Sequence, residues 1–112
     1  VSQSDEEEER KMLNLMQCAS LEMALNLALP VDKEKVAVRH RLLAGEEIDA
    51  HVHDDVDEHV IVIHGQFVIT IDGKRYSREC SKLDGPALIA IKKGLEHSFK
   101  AITPTRYLVI RG

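Results

Sequence analysis

The stretch Gly45–Gly65, GEEIDAHVHDDVDEHVIVIHG, decides the fold. His51 and His53 are two residues apart, so on an extended strand both imidazoles point to the same side. Their α-carbons then lie about 6.6 Å apart, at a rise of roughly 3.3 Å per residue. The acidic turn Asp54-Asp55-Val56-Asp57 lets the chain double back, and Glu58 opens the next apolar run, EHVIVIHG. Two imidazoles and a carboxylate converging this way suit a borderline first-row divalent metal better than magnesium or calcium.

The spacing Gly45-x5-His51-x-His53-x4-Glu58-x6-Gly65 resembles the first motif of the cupin superfamily, position for position. A second resemblance lies in DGPALIAIKKGLEHSFKA, residues 84–101, where Gly94-x2-His97 stands where the family's second motif places a fourth metal ligand. Lys92 replaces the usual proline there, Ala101 the usual asparagine, and Gly85 comes one residue early. The resemblance implies an all-β double-stranded β-helix, an RmlC-like jelly-roll barrel. It also implies one divalent transition-metal ion per chain (iron, manganese, nickel, cobalt, copper or zinc) held by His51, His53, Glu58 and His97. Three imidazoles and one carboxylate fill four positions of an octahedron and leave two for water, dioxygen or a bidentate ligand.

A chain of 112 residues, 44% of them hydrophobic, supports a single globular core. We expect residues 1–20 to form an acidic tail with a short helix and residues 21–112 a single barrel domain. Net charge is −4, and the basic residues are scattered rather than striped, so nucleic acid is not an expected partner. No apolar run approaches the roughly 20 residues that span a bilayer. Five consecutive acids, Asp5 to Glu9, are unlike the basic start of a secretory signal, and a cytoplasmic location is the expectation. Cys18 and Cys80 have no metal-type spacing and are expected as free thiols.

Along the chain, Ser4 and the acids after it suit a helix start, with Met12, Leu13 and Met16 at helical spacing. Residues 21–29 alternate with a period of two, Leu21, Met23, Leu25, Leu27 and Leu29 against Glu22, Ala24, Asn26 and Ala28, which predicts a half-buried strand. A turn over 30–34 and a strand over 35–43 follow, with His40 expected as a buried core histidine. Asp72-Gly73 between apolar runs predicts a tight hairpin. Residues 77–86 read as a polar loop, with short strands after it at 87–91, 97–102 and 107–110. Eight or nine short strands between turn signals indicate an all-β sandwich or barrel.

If Glu58 points into the barrel, then Val60, Val62 and His64 share its side, and His59, Ile61 and Ile63 face outward. His64 is therefore expected to line the pocket as an acid/base group or a support for a ligand. Phe99 and Tyr107 are candidates for its apolar wall. An outer face carrying Ile61 and Ile63 needs a cover, from a second subunit in a homodimer or from the chain's own N-terminal segment. The functional expectation is a metal-dependent enzyme, a dioxygenase or an isomerase/decarboxylase, acting on a small organic molecule chelated to the ion. The alternative is a non-catalytic binding or sensing cupin. The aspartates of the turn lack EF-hand spacing, and neither a nucleophile elbow nor a glycine-rich phosphate loop occurs.

Overall fold

The computed structural model describes residues 15–28 and 36–111. Its strands are β1 (Leu15–Gln17), β2 (Val36–Leu42), β3 (Glu47–His51), β4 (Glu58–Ile71), β5 (Lys74–Cys80), β6 (Ala87–Ile91), β7 (His97–Ala101) and β8 (Thr105–Arg111); one helix, α1 (Leu21–Ala28), lies between β1 and β2. All strand pairings are antiparallel. The start of β4 pairs with β6 and β8, and β1 and β2 extend that sheet at its two edges. The end of β4 pairs with β5 and β7, and β3 pairs with β7. β4 thus belongs to both layers of a jelly roll and joins them by bending.

That bend decides which side chains face inward. Register against β8 slips between Val62 and His64, and Gly65 follows with φ +124. A Cβ at Gly65 would lie 2.5 Å from Thr105 Oγ1 and 2.7 Å from Pro104 O, so only glycine lets the β7–β8 turn approach so closely. Before the bend Val60 and Val62 enter the core; after it Phe67, Ile69 and Ile71 do. The extra residue reverses the parity. Phe67 stacks on Phe99 at a ring separation of 5.2 Å, closing the core between the layers.

The outer face of the β4–β6–β8 sheet carries a second core, in which Ile61, Leu88, Leu108 and Ile110 bury against Ala24 and Ala28 of α1. The expected strand over 21–29 is therefore a helix for all of its described residues. Leu, Glu, Met and Ala are strong helix formers, and the Ser20 hydroxyl caps the helix by accepting the Met23 N–H at 3.1 Å. The alternation was incidental: Ala24 and Ala28 are buried, Leu21 and Leu25 pack beside them, and Met23 and Leu27 are exposed. The cover over Ile61 thus comes from the same chain.

Other expectations need adjustment. The end of the segment expected as a tail, residues 15–17, pairs with β6 as a strand, whereas the proposed helix start at Ser4 and the turn over 30–34 lie outside the described residues. β5 runs on to Cys80, into the stretch read as loop, and His40 is exposed rather than buried. The hairpin at Asp72-Gly73 forms as expected, with φ of 50 and 77 at its two residues.

Candidate metal centre

Three strand ends and one turn bring the site together. β3 ends at His51, which lies opposite His97, the first residue of β7. His53 follows two residues beyond the strand, so the turn places it rather than strand parity. Its carbonyl accepts the Gly94 N–H at 2.7 Å, and the Asp57 carboxylate accepts the Lys93 N–H at 2.9 Å. These bonds tie the His53 turn to the turn before His97. Gly94 itself has φ +85, a conformation that favours glycine. With Lys92 in the usual proline position, the turn still closes through a Leu95 N–H bond to the Lys92 carbonyl at 3.2 Å.

Backbone carbonyls orient two of the rings. His51 Nδ1 is 2.8 Å from the Asp49 carbonyl and His97 Nδ1 is 3.0 Å from the Leu95 carbonyl. A carbonyl only accepts, so each Nδ1 donates and each neutral ring keeps its lone pair on Nε2. The three histidines offer ring nitrogens that all lie within 4.8 Å of one another. Two ligands bound at roughly 2.1 Å to one ion sit at most about 4.2 Å apart, so small ring rotations complete the fit. The Nε2 atoms of His53 and His97 are buried without a hydrogen-bond partner. Such groups are destabilising unless something fills the space between them.

Glu58, 5% exposed, stands at the edge of this cluster. Its Oε2 is 2.9 Å from His53 Nε2 and 3.2 Å from Arg111 Nε, and its Oε1 is 4.0 Å from His97 Nε2. The contact with His53 lacks hydrogen-bond geometry. Two neighbouring ligands on one ion, at bonds of about 2.1 Å and a right angle, would be about 3.0 Å apart, which is the separation found. The Arg111 N–H donates to the carboxylate meanwhile, so the buried charge is not left unpaired. Burial above all pulls the His97 pKa down, and the neighbouring His51 and His53 add to this against the Leu95 carbonyl and Glu58. His97 is thereby held in the neutral form that a metal requires. The residues present fit a divalent ion.

The site opens into a cavity of ≈ 160 Å³ whose lining includes His51, Glu58, His97, Phe99, Tyr107 and Arg111. A second hollow of ≈ 360 Å³, bordered by Val38, His40, Val109 and Arg111, shares the last three of these residues with it. His40 stacks on Tyr107 at 5.3 Å between ring centroids. Burial, with Glu58 and Glu46 adding to it, pushes the Tyr107 pKa up. His64 does not reach this cavity. The slip after Val62 turns it away from Glu58's side, and it is exposed opposite Arg106. Arg111 was the residue missed. It follows Tyr107 and Val109 with a period of two, but the sequence pattern ends the last strand at residue 110.

No family model matches the sequence, and no curated protein matches it either. Solved structures do match. A conserved protein of Streptococcus pyogenes, SPY1581, is 24% identical with a TM-score of 0.59, over 70% of this chain and 64% of that one. An RmlC-like cupin from Shewanella frigidimarina is 19% identical with a TM-score of 0.61, over 70% of this chain and 65% of that one. The fold is that of a cupin. A predicted oxalate decarboxylase from Thermotoga maritima shares it at 19% identity and a TM-score of 0.58, over 87% of this chain and 76% of that one. The cupin barrel spans a little under two thirds of the length of the S. pyogenes and RmlC-like structures. Among the described residues, no helix is long and apolar enough to cross a membrane.

Proposed function

We propose that this cupin is a metal-dependent enzyme acting on a small organic molecule, with His51, His53, His97 and Glu58 holding one divalent transition-metal ion. The observation that carries the proposal is the set of three imidazoles with ring nitrogens within 4.8 Å, the Nε2 atoms of His53 and His97 buried without a hydrogen-bond partner, beside a cavity that His51 and His97 line. The ion, when bound, would act as a Lewis acid or an oxygen-activating centre, in dioxygenase or isomerase/decarboxylase chemistry. Phe99, Ile69 and Ile91 line the cavity and exclude water from the ligand. Tyr107 keeps its hydroxyl proton at neutral pH, so it can donate a hydrogen bond to an oxyanion on the ligand. With His64 outside, Glu58 and Tyr107 are the acid/base groups beside the histidines on the inner wall.

That short list also supports the second reading, a binding or sensing cupin whose ion holds the ligand. Exposed Met23 and Leu27 on the outer side of α1 support a homodimer as the assembly. The free, buried thiols of Cys18 and Cys80 fit a reducing compartment such as the cytoplasm.

The test is elemental analysis of untagged protein beside a His51→Ala/His53→Ala variant. About one transition-metal ion per chain, lost in the variant, is the expected result. No metal in either protein would end this reading. Glu58→Gln then separates the two roles: a folded variant that binds ligand without turnover points to catalysis by the wild type.

A further inference from the structure

We infer that the site takes a short dianionic organic acid, and that Arg111 is the specificity-determining residue that receives its second carboxylate. The inference deepens the metal reading and rests on it. Arg111 borders both the inner cavity and the second hollow, and its Nε lies 3.2 Å from Glu58 Oε2 at the ligand cluster. Of its five N–H donors, one, on Nε, bonds Glu58 among the described residues. Its side chain is 55% exposed, which leaves the fork open to the mouth. Among the described residues, Glu58 is the one carboxylate in the lining of the two cavities. A divalent ion and a guanidinium against a single carboxylate leave a surplus of two positive charges, which a dianion would neutralise.

Size follows from the same contacts. Glu58 touches His53 with Oε2, approaches His97 with Oε1 and meets Arg111 at 3.2 Å, so one carboxylate group spans from the ligand cluster to the guanidinium. A ligand bridging the same two points must be short. A cavity of ≈ 160 Å³ is comparable with the ~150 Å³ that admits benzene, so on the order of six or seven heavy atoms fit. That is a diacid of two or three carbons, one end at the ion and the other paired in a fork with Arg111.

The probe is malonate, with its uncharged isostere malonamide, titrated calorimetrically into metal-loaded wild type, R111Q and R111K. Metal content and thermal midpoint are measured on the same samples. Malonate affinity should fall about 10–100-fold in R111Q and recover in part in R111K, while malonamide binding stays level. A wild type that holds the ion but binds malonate no better than R111Q does, or no better than malonamide, overturns the inference and leaves the metal reading standing. A wild type without an ion sinks the metal reading, and the inference with it.

Discussion

The two faces of the β4–β8 pair bury side chains to similar depth for opposite reasons. On the outer face Ile61 and Ile110 are fully buried against Ala24 and Ala28, in a cluster of hydrocarbon side chains and the Cys18 thiol. Toward the open end of the inner face, Glu58 and His97 are 5% and 4% exposed, and the Nε2 atoms of His53 and His97 lack hydrogen-bond partners. The first arrangement lowers the free energy of the folded chain by removing hydrocarbon from water. The second raises it, because polar atoms leave water without full compensation. One sheet thus separates stability from function, and a bound ion would turn the inner face from a liability into a stabilising contact.

The largest expected effect lies on the outer face. Ile61→Ala should lower unfolding free energy by about 2–5 kcal/mol, because the space it leaves is walled by a helix and a sheet that relax only in part. Urea denaturation measures this, and metal content per folded chain should not change. If the variant loses its metal as completely as a histidine variant does, the two faces are not independent.

Next comes the ion. Metal at a hundredfold excess over its Kd should stabilise the wild type by about 2.7 kcal/mol relative to chelator-treated protein. The His51→Ala/His53→Ala variant should show no such difference in thermal midpoint. A variant still stabilised by metal would place the ion elsewhere.

The site and the outer cover differ in how well the sequence announces them. Metal ligands must be particular residue types at particular spacings, so the proposed ligands His51, His53 and Glu58 stand out before any packing is known, and the family resemblance adds His97. The Asp72-Gly73 hairpin is readable for a similar reason, since positive φ restricts the residue choice. Helix α1 is different. Leu21 to Leu27 alternate as a strand would, and only the distant partners Ile61, Leu88 and Ile110 settle which residues are buried. The bend in β4 has the same origin. Gly65 in VIHGQF hints at an irregularity, but the place of the extra residue depends on the approach of Thr105 to Gly65. That hidden slip put His64 outside the cavity, and an end-of-strand boundary hid Arg111.

A pH series sharpens the contrast between the faces. The His97 pKa is lowered in the fold, chiefly by burial, so the unfolded chain takes up its proton first as pH falls. Stability linked to this ring is present above the unfolded value of about 6.5 and is lost as pH drops through the lower folded value. Metal-free wild type should therefore lose thermal stability below about pH 6.5, where His97→Gln should show a flatter profile. Equal slopes for the two proteins would remove His97 as the source.

The smallest effect tests how the turns support the site. The Asp57 carboxylate accepts the Lys93 N–H, and that bond is the main cause of its lowered pKa. It lies on the exposed rim, so Asp57→Ala should destabilise by no more than about 0.5–1 kcal/mol. Because the folded pKa is depressed, the contribution exists above the unfolded value of about 3.9 and fades as pH falls through the folded one. Wild type and variant should then converge in stability at low pH. At saturating metal the variant should still hold one ion, since Gly94 N–H continues to bond the His53 carbonyl. The ion should nevertheless exchange faster, because one of two tethers on the His53 turn is gone. Metal release into a chromogenic chelator measures that rate. An unchanged rate would mean that the Gly94 bond alone positions His53, and a complete loss of metal would mean that the acidic turn forms part of the ion's own coordination.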